Sequence, residues 1–190
     1  MSIMIEIEGS GKHCHVTQET LYALFGEGFE LEVRSWLSQP GQFVTPHRIT
    51  VHGPRRETEL SIVGPCRVAN QIELSLTDAR SLGYDPPIRE SGDVAGTPGA
   101  RLVGPNGEVE ISEGVIIMKR HVHIAPDDGV KFGITDKQIV KVKVTGERAL
   151  IFDEVVARVG VGHATFMHLD YDEYNAAGVT ADNIMGEILL

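Results

Sequence analysis

Two short stretches carry the residues best suited to chemistry: Lys12-His13-Cys14-His15 near the start and Arg120-His121-Val122-His123 past the middle. In an extended strand, side chains two residues apart share a face, so each His-x-His aims two imidazoles at one point, as a metal site requires. The surroundings repeat too. Each copy runs through a basic residue, His-x-His, a β-branched residue, a Thr17 or Pro126-Asp127 opening and a short helix, ending at Phe25-Gly26 or Phe132-Gly133. A lone histidine is ordinarily solvated or hydrogen-bonded. A same-face pair that recurs inside a repeat favours ligation instead.

Catalytic zinc takes three protein ligands and keeps one position open. His168, in the strand-like Phe166-Met167-His168-Leu169-Asp170, is the nominated third ligand for the second pair. Glu73 is the nominee for the first, on the polar face of the alternating Gln71-Ile72-Glu73-Leu74-Ser75-Leu76; a solvated strand position is its plain alternative. His47, His52 and His163 have no same-face partner at strand spacing and read as surface or structural residues. Cys14 points away from the face shared by His13 and His15, which suits a buried apolar filler better than a nucleophile. Arg67, after Gly64-Pro65-Cys66, and Arg89, within Pro87-Ile88-Arg89-Glu90-Ser91-Gly92-Asp93, offer guanidinium groups for bidentate binding of phosphate or carboxylate. A surface ion pair is the commoner use of an arginine. Metals and arginines together suggest an anionic substrate such as phosphate. Gly-x-Ser-x-Gly, Gly-x-x-x-x-Gly-Lys-[Ser/Thr] and Gly-x-Gly-x-x-Gly are all absent.

The elements that must position these groups are short. Residues 3–8 alternate as a strand leading into the first pair. Thr17 reads as an N-cap for a helix over 18–25 that Gly26-Glu27-Gly28 stops. Strands are expected over 29–34, 48–52, 58–63 and 71–76, with a capped helical turn over 77–83. An irregular stretch follows from Asp85 to Gly99, and long loops of this kind are often functional. Asn106-Gly107 marks a hairpin turn, and 138–144, 149–159 and 166–170 are further strand candidates before a helix over 171–177. Many short strands punctuated by Gly and Pro, with a few short helices, predict a mainly β chain. The repeat predicts two closely packed β-barrel domains, residues 1–112 with His13, His15 and Glu73 and residues 113–190 with His121, His123 and His168, and the barrels may trade segments across that boundary.

Composition narrows the function. At 190 residues, 42% hydrophobic and 23% charged, the chain is globular rather than disordered. A net charge of −10 opposes non-specific nucleic-acid binding, though local arginines can still create an anion pocket. Two cysteines, Cys14 and Cys66, are too few for a disulfide framework, which favours a reducing, cytoplasmic setting. The N-terminus lacks the basic start and apolar run of a signal peptide, and no apolar run approaches a membrane span. A soluble protein with no membrane partner is expected.

The same stretches resemble the PduL-type phosphotransacylases (phosphate propanoyltransferases). The resemblance runs in order through Lys12-His13-Cys14-His15-Val16, Leu37-Ser38-Gln39-Pro40-Gly41-Gln42-Phe43, Gly64-Pro65-Cys66-Arg67 and Gln71-Ile72-Glu73-Leu74-Ser75. It continues through Thr77-Asp78-Ala79, Arg89-Glu90-Ser91-Gly92-Asp93, Gly114-Val115-Ile116-Ile117, Arg120-His121-Val122-His123-Ile124, Met167-His168-Leu169-Asp170 and Glu173-Tyr174-Asn175-Ala176-Ala177-Gly178. It implies two β-barrels capped by short helices, with a di-metal site, usually zinc, where they meet. It further implies reversible acyl transfer between coenzyme A and inorganic phosphate. Carried over by residue, His13, His15 and Glu73 would hold one metal, His121, His123 and His168 the other, and Arg67 would bind phosphate. Lys12 and Cys14 stand where the family often shows Arg and Val. Only twelve residues precede His13, so the resemblance points to a free cytosolic form rather than one sent to a microcompartment, and leaves propanoyl-CoA and acetyl-CoA both open. A homodimer is one open assembly. Two other functions stay in view: a metal-dependent thioesterase or hydrolase using metal-bound water, and a binding module in which metals only staple the fold.

Overall fold

The computed structural model describes residues 2–179 and 184–190. In chain order the first elements are β1 (Ile3–Ser10), β2 (His13–His15), α1 (Gln18–Phe25), β3 (Ser35–Trp36), β4 (Phe43–His52), β5 (Glu57–Gly64) and β6 (Gln71–Leu74). Then come α2 (Leu76–Leu82), β7 (Ile88–Arg89), β8 (Ala100–Val103), β9 (Glu108–Ile111) and β10 (Val115–Met118). The second His pair opens the remainder: β11 (His121–Ile124), α3 (Pro126–Phe132), β12 (Ile139–Val144), β13 (Leu150–Val159), β14 (Phe166–Asp170), α4 (Tyr171–Ala176) and β15 (Ile184–Leu189). The mainly β expectation holds. Among the described residues no helix is long and apolar enough to cross a membrane.

The chain forms two compact units. One joins Met1–Ser10, Ser38–Pro40 and Lys119–Leu190, and the other joins Gly11–Leu37 and Gly41–Met118. The first of these is a closed barrel in the order β1-β14-β11-β13-β12-β15. Six strands leave an interior that side chains can fill. Ile5, Ile7, Val122, Ile124, Val142, Met167 and Leu169 do so. Because strand faces alternate, Val122 and Ile124 in the core turn His121 and His123 to the opposite face of β11.

The second unit is a curled half-barrel, a nine-stranded sheet ordered β7-β10-β6-β2-β5-β4-β8-β9 with β3 on β4. Its path ends at β7, a two-residue strand preceded by Pro86-Pro87, and at β9, where Glu108 and Glu110 charge the edge. Both devices discourage further pairing. Cys14, Ile62, Ile72 and Leu74 are buried in this unit's core, so His13 and His15 face the other way.

The repeat survives as topology. β2 pairs parallel with β5 and antiparallel with β6; β11 pairs parallel with β13 and antiparallel with β14. The strand preceding each His pair leaves for the other unit: β1 pairs β14 in the barrel, and β10 pairs β6 in the sheet. The expected strand over residues 29–34 does not form. Phe29 instead stacks on Phe25 of α1 at 4.6 Å, and the Glu32 N–H reaches His47 Nε2 at 3.4 Å, so only Ser35–Trp36 pairs with β4.

Candidate metal centres

β6 lies antiparallel to β2 with Glu73 directly opposite His13. Residues opposite one another in a sheet share a face, so the carboxylate joins the imidazoles without any long reach. His13 Nδ1 lies 2.8 Å from Gly11 O and His15 Nδ1 lies 2.9 Å from Val63 O. A carbonyl only accepts, so each Nδ1 carries the proton and each Nε2 presents a lone pair. Those two Nε2 atoms are 3.2 Å apart, and each is 3.7 Å from a Glu73 carboxylate oxygen. Two inward lone pairs beside a carboxylate call for a cation. One donor atom from each of the three residues lies within 4.8 Å of the others, and the N, N, O set suits zinc or a similar divalent ion.

The electrostatics agree. Burial, opposed by the Glu73 carboxylate and helped by the Arg67 charge, lowers the His15 pKa to about 4, so the ring is neutral at pH 7 as a ligand must be. Burial alone would push the Glu73 carboxyl up. The neighbouring His13, His15 and Ser91 hydroxyl outweigh it and hold the carboxylate well below its usual range.

An outer ring fixes Glu73. Gln71 Nε2 and Ser91 Oγ both donate to Glu73 Oε1, the latter at 2.9 Å. Gln71 Oε1 in turn accepts from the Gly92 N–H at 2.7 Å, which seats the 85–99 loop on β6; Gly92, at φ 101°, makes that approach where a side chain would be strained. Arg67 donates through Nη1 to Ser91 Oγ at 2.9 Å and through Nη2 to Gln42 Oε1 at 3.4 Å. Arg67 is therefore coupled to the first triad through one hydroxyl. Arg89, two residues before Ser91, forms a long, half-exposed ion pair with Asp93 at 3.7 Å.

The barrel carries a triad of the same plan. His168 of β14 stands opposite His121 of β11, as Glu73 does opposite His13. His121 Nδ1 is held at 2.9 Å by Lys119 O, and His121 and His123 bring their Nε2 atoms within 3.1 Å. The His168 ring centroid is 5.3 Å from His121 and 5.1 Å from His123. It is the least converged of the six, with Nε2 at 3.5 Å from the Gln39 amide nitrogen and Nδ1 at 3.9 Å from Glu8 Oε2. Burial, with the charges of His121, His168, Arg158 and His163, drives the His123 pKa down to about 2.

Strand spacing puts Gln71 on the face of Glu73, but it gives no sign of Ser91, Gln39 or His163. Gln71 and Ser91 brace Glu73, and Gln39 bonds both ways with the Ala164 backbone at 3.1 and 3.2 Å. His163 packs its ring 4.3 Å from that of His123. Gln39 and Ser91 lie in the motifs quoted above, but His163 sits in a turn and carries no spacing signal. His47 packs edge-on against the stacked Phe25 and Phe29, and His52 forms an ion pair with Glu57 at 3.1 Å.

Comparison with known proteins matches residues 6–180 to the family described as phosphate propanoyltransferase. A phosphate propanoyltransferase of Listeria monocytogenes is 47% identical over 186 residues, covering 97% of this chain and 87% of that protein. One from Enterococcus faecalis is 49% identical over 176 residues (92% and 83%), and one from Clostridioides difficile is 45% identical over 181 residues (95% and 87%).

Proposed function

The chain belongs to the phosphate propanoyltransferase family, and from that premise we propose that it converts a short-chain acyl-CoA and inorganic phosphate, reversibly, to acyl phosphate and CoA. Propanoyl-CoA and acetyl-CoA are the candidate acyl donors. His13, His15 and Glu73 would hold one divalent ion and His121, His123 and His168 a second, zinc being the best match to the donors. When bound, such ions supply Lewis acidity toward phosphate and the thioester carbonyl. The observation that carries this reading is the double triad: two His-x-His strands, each with its third donor in the same register on the neighbouring antiparallel strand.

The chain's own residues divide the remaining work. Arg67 binds and orients phosphate, because a guanidinium fork matches two phosphate oxygens and offsets the negative charge that grows as phosphate attacks. Ser91 and Gln42 hold that fork through hydrogen bonds that leave the arginine cationic. Gln71 and Ser91 saturate one oxygen of Glu73 and so fix the carboxylate's direction. Arg89 serves the substrate's other phosphates; its ion pair with Asp93 is long and exposed enough to be exchanged cheaply. No covalent acyl-enzyme is needed, and the buried Cys14 is unsuited to form one.

The test is CoA release from propanoyl-CoA and acetyl-CoA, with and without phosphate, before and after chelation. Release that requires both phosphate and metal supports the transacylase. Metal-dependent release indifferent to phosphate would replace it with the thioesterase, and metal-replete protein without turnover would favour the binding module.

A further inference from the structure

Each half ties the strand of its third donor to its His pair twice, at matching positions and with different side chains. One tie lies three residues before the donor. Asn70, three before Glu73, accepts from the Thr17 N–H at 3.0 Å and donates to Thr20 Oγ1 at 2.9 Å. Thr165, three before His168, accepts from the Ala125 N–H at 3.0 Å and donates to Asp128 Oδ2. Thr17 and Ala125 each follow the second histidine of a pair by two residues, and Thr20 and Asp128 by five. The other tie lies five residues after the donor. Lys12, immediately before His13, pairs with Asp78 at 3.0 Å, and Arg120, immediately before His121, pairs with Glu173. Both acids stand in the first turn of a helix, their N–H groups bonded to the N-cap side chains of Ser75 and Asp170.

The bonds recur at the same offsets although the residues making them differ, so the position carries the requirement. Between the two ties of each half lies one antiparallel register, Glu73 opposite His13 and His168 opposite His121. A slip of one residue there would turn the third donor to the other face of the sheet. We propose that Asn70 with the Lys12–Asp78 pair, and Thr165 with the Arg120–Glu173 pair, are positioning residues for metal binding: they hold each third donor in register with its two imidazoles. The inference rests on the reading of both triads as metal centres. The charged ties are unequal. Lys12 and Asp78 are 37% and 28% exposed, so solvent screens their pair. Arg120 also donates through Nε to Asp153 O of β13 at 2.7 Å, and Glu173 Oε2 is buried with no hydrogen-bond partner among the described residues. Glu173 therefore leans on Arg120, and this pair is the stronger test.

The experiment measures each zinc affinity by chelator competition, and urea unfolding of the metal-free protein, for the unaltered chain, T165V, T165S, R120Q, N70A and H121A. H121A identifies the barrel's ion. T165V keeps the shape of the side chain without its hydroxyl, and T165S restores the hydroxyl. The proposal predicts that T165V and R120Q each weaken the barrel's ion by about tenfold, the loss expected of a group that only supports a ligand. The sheet's ion stays as tight as before and reports a folded chain. N70A should do the converse, and T165S should bind as the unaltered chain does. Lower unfolding midpoints in T165V, R120Q and N70A with both zinc affinities unchanged would overturn the inference and leave the ties to the fold alone, with the reading of the triads untouched. Unchanged zinc content in H121A would overturn the reading of the barrel's triad and the inference with it.

Discussion

Replacing Arg67 by alanine separates the phosphate role from the metal role. Arg67 donates to two neutral groups, Ser91 Oγ at 2.9 Å and Gln42 Oε1 at 3.4 Å. Glu73 does not depend on it: Gln71 Nε2 and Ser91 Oγ still donate to Oε1 when the guanidinium is gone. The first triad should therefore keep its ion. What is lost is the charged donor to an anion in a half-buried site, and removing one such donor costs about 3 kcal/mol, or on the order of 100-fold. The loss should appear in kcat/KM for phosphate, with the KM for acyl-CoA moving less than about threefold. R67K, which restores the charge without the fork, should recover part of that loss, about tenfold. The assay is the initial rate of CoA release across a phosphate series, with zinc measured on the same preparation. Zinc loss in R67A, or unchanged phosphate kinetics, would refute the reasoning.

Other consequences follow from the same geometry. E73Q keeps the shape but removes the charge facing the two Nε2 atoms, so one zinc should bind at least about 100-fold more weakly, since changes outside the ligand shell already approach that; equilibrium dialysis reads it. Cys14 is 1% exposed and burial pushes its thiol up to about 12, so its thiolate fraction at pH 8 is on the order of one in ten thousand. Ellman's reagent should titrate Cys66 alone in the folded chain and both thiols after denaturation. M167A opens a hole in the barrel core where the side chain is wholly buried, and should cost about 2–5 kcal/mol in urea unfolding while leaving the sheet unit's zinc bound.

The shared face of each His pair was legible because the period of a strand is local: His13 and His15 need only two-residue spacing to share a face, and the buried Cys14 between them marks which face is the core. Glu73 and His168 were legible for the same reason, as polar residues in apolar strands. Their register opposite His13 and His121 was not, because pairing is a tertiary fact. Nor could the alternation of Ile3–Ser10 say that β1 joins the barrel while the pair it introduces joins the sheet. His163 and Gln39 reach the barrel's triad on turns, where no periodicity exists to betray them. Residues 29–34 misled in the opposite way. Their alternation is genuine, but Phe29 found a better partner in Phe25 than in another strand. β15 escaped notice because Gly186 interrupts its pattern, although a Cβ there would meet Val142 Cγ1 at 2.7 Å and Ile7 Cδ1 at 2.8 Å. That glycine marks close packing inside the barrel rather than a break.

The central claim is that both triads hold metal and that phosphate-dependent acyl transfer needs both. The direct measurement is zinc per chain, by mass spectrometry of the metal, together with phosphate-dependent CoA release, for the unaltered protein, H13A and H121A. The account predicts two zinc ions per chain falling to one in each variant, with transfer abolished in both. Two ions retained in both variants, or full phosphate-dependent turnover by metal-free protein, would contradict it.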